Sequence, residues 1–337
     1  MFLIFVKQIE DFDIRKGRYM TNPKISVIIP VYNMRDFIEE AINSILSQTL
    51  TDTEIVCMDD CSTDDTADVI KRLADAYENV HYFKNDINYG VGKTRADAMK
   101  HACGEYLFFI DADDRLPDND VFEKLYNAAS DGDCDICGGL VSNFSESETD
   151  DYTRFREMFK DSEQDAYVDL DFKDIQDDYF FQGFIYRRSF LEKHDITFPD
   201  LRAFEDPVFL VKALYYANRI RALNKEVYAH RFDHKERKPS IDALKALFRG
   251  VLINLDFAEE HGLDDLYEKT LNRVTTDFIF YIIPVFTSKD EEAISLLYRV
   301  GNKAEEKGYS YRPFELLSYM FDQKDLLMEF FRKENMI

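Results

Sequence analysis

Between residues 25 and 110 the chain alternates short, nearly continuous apolar runs with segments whose apolar residues recur at helical spacing. Ile25 to Pro30 (ISVIIP) is rich in β-branched residues and is predicted as a strand buried on both faces, which implies parallel neighbours. Asp36 to Gln48 follows with Phe37, Ile38, Ala41, Ile42, Ile45 and Leu46 on one helical face. The alternation then repeats, with strands at Glu54 to Met58, Val80 to Lys84 and Tyr106 to Ile110. Helices are predicted between them at Asp65 to Tyr77 and Gly92 to Cys103. Right-handed crossovers place such helices on the faces of the sheet, so the fold class is α/β: a Rossmann-like, doubly wound, mostly parallel central sheet flanked by helices. Ligands of these sheets bind beyond the carboxyl ends of the strands, which makes the polar residues after each strand the candidates for chemistry.

Further on, a helix is predicted at Val121 to Ala129 and a strand at Ile136 to Val141. From Ser142 to Asp178 periodicity fades, and thirteen Asp or Glu stand against four Arg or Lys. This acidic excursion reads as a solvated insertion, or as a loop that shapes an acceptor site. A structured stretch resumes at Tyr179 to Tyr186 and leads into a helix from Ser189. A helix follows at Phe209 to Ala217, then a strand at Glu226 to Phe232. From Ser240 onward the pattern is helical. Three regions follow from this: residues 1–22 as an N-terminal extension, 23–235 as the α/β domain containing the 142–178 excursion, and 236–337 as a C-terminal helical appendage.

The formal charge of −24 opposes binding to a nucleic-acid backbone or direct adhesion to an anionic bilayer. The opening MFLIFV is too short to span a membrane, and so is Phe278 to Val285 (FIFYIIPV), which Pro284 interrupts. Cys57, Cys61, Cys103, Cys134 and Cys137 are odd in number and sit mostly in apolar runs, as free thiols of a reducing compartment do. Cys134 and Cys137 have CxxC spacing without a second pair, so burial side by side is the simpler reading.

The most chemically loaded stretch is Phe108 to Asp114, FFIDADD: a buried strand ending in Asp111, Ala112, Asp113 and Asp114. Clustered carboxylates raise one another's pKa unless a cation or hydrogen-bond donors neutralise them. A hard divalent ion that also bridges phosphate meets that need; an Asp-rich turn before Pro117 is the plainer alternative. Pro30 and Tyr32 close the first strand with an apolar and aromatic wall suited to a base. The second strand ends in MDDCSTDDT, where Asp59 and Asp60 sit so that a carboxylate could accept a hydrogen bond from the N3–H of uracil. Ser62, Thr63 and Asp64 could instead cap the next helix. There is no GxGxxG after the first strand and no GxxxxGK[ST]. Gly90 and Gly92 would relax the backbone near a ligand, and Arg95 could reach a diphosphate or the Asp cluster. His230, Arg231 and His234 follow an apolar strand, and Arg187 and Arg188 follow Tyr186; each could meet phosphate or simply solvent.

The blocks ISVIIPVYN, DDCSTDDT, NYGVGKTRADAMKHACGEYLFFIDADD and FEDPVF, in that order and spacing across residues 24 to 232, resemble the family 2 glycosyltransferases of bacterial polysaccharide, capsule and lipopolysaccharide synthesis. The resemblance implies a GT-A fold, a nucleotide-activated sugar donor, Mg²⁺ or Mn²⁺, and inversion at the anomeric carbon. It assigns Pro30, Tyr32 and Asp60 to the nucleoside pocket, with Arg95, Asp111, Ala112 and Asp113 on the donor. Asp111 and Asp113 become a DxD pair at the metal, and Asp114 a neighbour of the donor or acceptor sugar. His230 or Arg231 would close on the diphosphate. Glu205-Asp206 resembles the family's ED motif, with Asp206 as general base. The immediately following Pro207 departs mildly from the commonest form, yet is tolerated in the first turn of a helix.

The implied activity is transfer from a nucleotide sugar, first of all a UDP-sugar, to a glycan or lipid-linked oligosaccharide. It would occur in the cytoplasm, with peripheral association at the inner face of the membrane. The alternatives are a sugar-nucleotide nucleotidyltransferase and a catalytically silent binding subunit.

Overall fold

The computed structural model describes residues 23–145, 149–150, 156–160, 162–232 and 239–308. The expected N-terminal extension, His234 and the chain beyond residue 308 lie outside them. The first half follows the predicted order: β1 (Ile25–Val31), α1 (Ile38–Leu46), β2 (Thr53–Asp59), α2 (Thr66–Ala76), β3 (Val80–Lys84), α3 (Val91–Met99), β4 (Tyr106–Phe109) and α4 (Val121–Asp131). The second half comprises β5 (Ile136–Phe144), β6 (Thr149–Asp150), β7 (Tyr167–Leu170), α5 (Phe172–Ile175), β8 (Phe184–Arg187), α6 (Arg188–Lys193), α7 (Glu205–Tyr216) and β9 (Ile220–Arg231). The helices α8 (Ile241–His261), α9 (Asp264–Thr275), α10 (Ile279–Ser288) and α11 (Glu291–Glu306) follow.

Among the described residues the strands form one sheet in the order β3-β2-β1-β4-β8-β5-β9-β7, with β6 beside β5. β3, β2, β1 and β4 run parallel, β8 is antiparallel to both its neighbours, and β9 returns parallel to β5. The chain reverses its direction of winding between β1 and β4, and in an open α/β sheet that reversal opens a crevice at the carboxyl edge. Pro30 pairs with Met58 of β2 but lies past Ile28, the last β1 residue aligned with β4, so its missing N–H costs no ladder bond there.

Alternation along the strands divides two apolar layers. Val27, Ile29 and Phe108 face one side, where Ile38, Ile42, Ile70 and Phe122 of α1, α2 and α4 pack. Ile28, Leu107 and Phe109 face the other, against Ala98 of α3 and Phe209 of α7. That second layer continues without a break into Leu244, Phe248, Leu271 and Leu297, so the C-terminal helices share the core of the sheet. Beneath α3 lies an aromatic cluster in which Phe109 packs edge-on against Phe198 and Phe209 at 5.1 and 5.5 Å.

Three expectations need correction. Residues 142–144 belong to β5, and within the acidic excursion β7 pairs with β9 as an edge strand. Its alternating burial of Val168 and Leu170 is a strand signature that the surrounding acidic residues obscure. α7 starts four residues before the predicted Phe209, because Glu205, Asp206 and Pro207 form its first turn. Gly92 serves packing: a Cβ there would lie 2.5 and 2.7 Å from the carbonyl oxygens of Pro199 and Leu201. Gly90 adopts φ +94°, and a Cβ would press on Arg202. Both glycines let the loop after β3 lie against the segment leading to α7.

Gly92→Ala is therefore expected to cost about 1–3 kcal/mol through overpacking against rigid backbone, read as a lower urea midpoint at unchanged m-value.

Candidate active site

The carboxylates named from the sequence gather at the carboxyl end of β4. Arg95, projecting from the first turns of α3, is 4 % exposed and forms two ion pairs. Its Nη2 donates to Asp111 Oδ1 at 2.6 Å and its Nη1 to Glu205 Oε1 at 2.6 Å. The guanidinium lies over the rings of Phe181 and Phe198 at 4.7 and 5.4 Å, capping the aromatic cluster. Arg95 thus joins the DxD loop to the ED motif, which are about a hundred residues apart in sequence. Burial works against charge on Asp111, but Arg95, with a further donor in Gln182 (Nε2 to Oδ2, 3.1 Å), holds its pKa below the usual carboxylate range.

β9 supplies the floor of the 111–115 turn. The Tyr228 hydroxyl accepts the Asp111 N–H at 3.1 Å and donates to the Asp114 carboxylate. The Arg231 N–H donates to the other Asp114 oxygen at 2.7 Å. Asp114 is 2 % exposed with both oxygens engaged, so it anchors the turn. Burial first, then the charges of Asp111 and Asp113, push its pKa well up. Arg231 is likewise committed: Nε donates to the Asp113 carbonyl at 3.0 Å, Nη2 to Glu40 at 2.6 Å, and the guanidinium packs on Phe37 and Phe144. It fixes the turn to α1 and is not placed as a free diphosphate ligand. His230, half-buried and 3.2 Å from Asn143 Oδ1 through Nδ1, lies within electrostatic reach of Asp111. Asp113 and Ala112 complete the turn, Ala112 buried and Asp113 half-exposed.

The other catalytic candidates sit on α7. Phe204 takes the left-handed conformation (φ 62°), turning the chain so that the helix opens with Glu205 and Asp206. Glu205 is buried against Arg95; burial raises its pKa and Arg95 opposes the shift. Its Oε1 is the partner of Arg95 in that buried ion pair. Among the described residues no side chain donates a hydrogen bond to Asp206. Burial, followed by the charge of Glu205, raises its pKa to about 7.

At the carboxyl end of β2, the Asp60 carboxylate accepts from Asn85 Nδ2 at 2.9 Å and from the Tyr89 and Gly90 N–H groups at 2.8 Å each. It clamps the loop after β3. Ser62 accepts from the Asn33 N–H, and Asn33 Oδ1 accepts from the Thr63 N–H, so these residues tie the two loops beside Tyr32 together; Asp64 Oδ1 accepts from the N–H of Thr66, the first residue of α2, at 3.0 Å. Arg187 and Arg188 pair with Asp133 and Glu192 beside the start of β4, away from the carboxylates. A cavity of about 590 Å³ lined by Leu46, Leu50 and Tyr77 is also at the opposite, amino end of β2. All five cysteines are free.

The family model described as Glycosyl transferase family 2 matches residues 26–195. The chain belongs to the family 2 glycosyltransferases. Staphylococcus aureus TarS residues 1–349, solved in complex with UDP-GlcNAc, superpose on this glycosyltransferase with a TM-score of 0.64 at 27% identity, covering 83% of this chain and 81% of that one. The GT-A fold follows. A poly(ribitol-phosphate) beta-glucosyltransferase of Bacillus spizizenii is 36% identical over 204 residues, 58% of this chain and 30% of that enzyme. The poly(ribitol-phosphate) beta-N-acetylglucosaminyltransferase TarS of Staphylococcus aureus is 30% identical over 262 residues, 74% of this chain. The chain spans 44% of TarS and less than a third of the Bacillus enzyme. Among the described residues no helix is long and apolar enough to cross a membrane.

Sequence reasoning missed Gln182, although a lone amide inside the apolar run FFQGFIY is a signal. It also missed the hydroxyl of Tyr228, which carries none.

Arg95→Met, which leaves Asp111 and Glu205 buried without a counter-charge, is expected to cost about 3–5 kcal/mol of stability by urea denaturation. Arg95→Lys, which keeps charge but lacks the fork, should recover only part of it.

Proposed function

We propose that this glycosyltransferase moves a sugar from a UDP-sugar to a hydroxyl of a cell-envelope glycan or lipid-linked oligosaccharide, inverting the anomeric carbon, with Asp206 as general base. The carrying observation is the Asp206 carboxylate: half-buried, without a side-chain donor among the described residues, with a pKa of about 7, and adjacent to Glu205, which Arg95 links to Asp111. A base whose pKa sits near the working pH combines availability with proton-accepting strength. The UDP-GlcNAc held by TarS and the poly(ribitol-phosphate) specificity in the relatives' names support the donor and acceptor classes.

Mg²⁺ or Mn²⁺ fits the donor set. Among the described residues no three His, Cys, Asp or Glu side chains form a metal cage. Magnesium, however, is commonly held by one or two carboxylates together with substrate phosphates. Asp113 would be the direct ligand and Asp111, already ionised by Arg95, its supporting charge. A bound ion would neutralise negative charge on the departing diphosphate. Tyr228 and Arg231 hold the turn that presents Asp113, and His230 faces the same region. Pro30 and Tyr32 would wall the uracil, with Asp60 fixing the adjacent loop. Asp206 would take the acceptor proton as its oxygen attacks from the face opposite the diphosphate, a single displacement that gives a β-linkage from an α-linked donor. An acceptor at the membrane would bring the enzyme to the inner face of the cell membrane as a peripheral protein.

Asp206→Asn should lower turnover about 10²–10⁴-fold with donor affinity retained, in a screen of UDP-sugars followed by UDP release. Asp113→Ala should instead weaken metal-dependent donor binding, and chelation should do the same to the wild type. The sign of the pH effect follows from the raised pKa: Asp206 becomes protonated below about pH 7, so kcat should fall as pH drops through that value. Unchanged turnover in Asp206→Asn would remove the base assignment.

A further inference from the structure

The C-terminal helices do more than cover the core, because α9 reaches the turn that launches the ED motif. Arg273 of α9 donates through Nη1 to Asp178 Oδ1 at 3.0 Å. Asp178, only 2 % exposed, also accepts from Thr270 at 3.3 Å. The same guanidinium lies 5.2 Å from the ring of Phe204, 4.7 Å from Tyr179 and 5.2 Å from Phe278. Two more bonds lock α9 to this stretch: the Leu266 N–H donates to Gln176 Oε1 at 3.1 Å and Lys269 Nζ to the Ile175 carbonyl at 2.6 Å. Four residues past Asp178, Gln182 binds Asp111. Arg273 therefore touches both arms of the site: the segment that runs to Asp111, and Phe204, the residue directly before Glu205-Asp206.

We propose that Arg273 is a positioning residue of the active centre, through which the C-terminal helices fix the turn presenting Asp206 and contribute positive field at its carboxylate. The inference rests on the reading of Asp206 as the base. The geometry makes the dependence specific. A left-handed Phe204 has to be held by its surroundings, and the guanidinium packs on its ring. The charged groups acting on Asp206 are Glu205 on its own helix, which disfavours its charge, and Arg95 from α3 and Arg273 from α9, which favour it. Arg273 is itself steered by Asp178 and by Asp277, 3.6 Å from its Nε. Removing it takes away a cation that favours the ionised form of Asp206 and leaves Asp178 buried without that counter-charge.

The test uses the full chain and compares pH profiles of kcat for sugar transfer. Arg273→Gln combined with Asp178→Asn removes both charges, so no lone buried carboxylate remains. Its acid limb should move to higher pH, and kcat at neutral pH should fall about tenfold or more while the donor KM stays within about twofold. Arg273→Lys, which retains the charge, should keep the acid limb where the wild type has it. An unmoved acid limb in the double variant overturns the proposal, as does an equal displacement in Arg273→Lys. Should the double variant fail to fold, Arg273→Lys decides alone, and a limb displaced despite the retained charge counts against Arg273. Wild-type turnover in Asp206→Asn would instead remove the base assignment itself, and the two failures are distinguishable.

Discussion

A single buried guanidinium connects the two halves of this active site. Arg95 carries one carboxylate from the loop after β4 and another from the first turn of α7, and it rests on two aromatic rings. Burying three charges is expensive, and the arrangement is tolerable only because the fork geometry satisfies both acids at once. What it provides is registration. Phe109 of β4 already packs on Phe209 of α7, and the bridge adds a polar tie between the turn after β4 and the first turn of that helix. The turn carrying Asp111 and the first turn of α7, which carries the proposed base Asp206, are thereby held in one frame.

Around that bridge the protein spends other acids on construction. Asp60, Asp114 and Asp178 are each nearly enclosed and each binds two or more donors, so they organise loops. Asp113 and Asp206 differ in kind. Asp113 is half-exposed at the turn, and Asp206 is raised towards neutrality by its surroundings. A carboxylate satisfied by backbone N–H groups or a tyrosine hydroxyl has little left for substrate, which is why the proposed function rests on Asp206 and not on Asp60, Asp114 or Asp178.

The sheet was largely legible in the sequence because the β1 to β4 strands are buried on both faces and read as uninterrupted apolar runs. The order of blocks was enough to bring Asp111, Asp113 and Asp206 together as candidates. Two kinds of feature escaped. Edge strand β7 is half-exposed and acidic, so its period-two signal is weak beside the charge around it. Roles set by tertiary contact were invisible as well. Asp114 reads like its neighbours until Tyr228 arrives from more than a hundred residues away, and Arg273 is an ordinary helical arginine until α9 folds against Phe204. Arg231 illustrates the same limit in reverse: an arginine that looked available for phosphate is engaged by Glu40 and the Asp113 carbonyl.

The central claim is spatial: donor diphosphate and general base share the carboxyl edge between β1 and α7, with Arg95 as the tie between them. Crystals grown with UDP and manganese, whose anomalous scattering locates the ion independently, test it most directly. The account expects the anomalous peak beside Asp113, the uracil between Tyr32 and the loop held by Asp60, and open space for a sugar between the diphosphate and Asp206. A nucleotide bound elsewhere, such as the cavity at the amino end of β2, or an ion remote from Asp113 would contradict it.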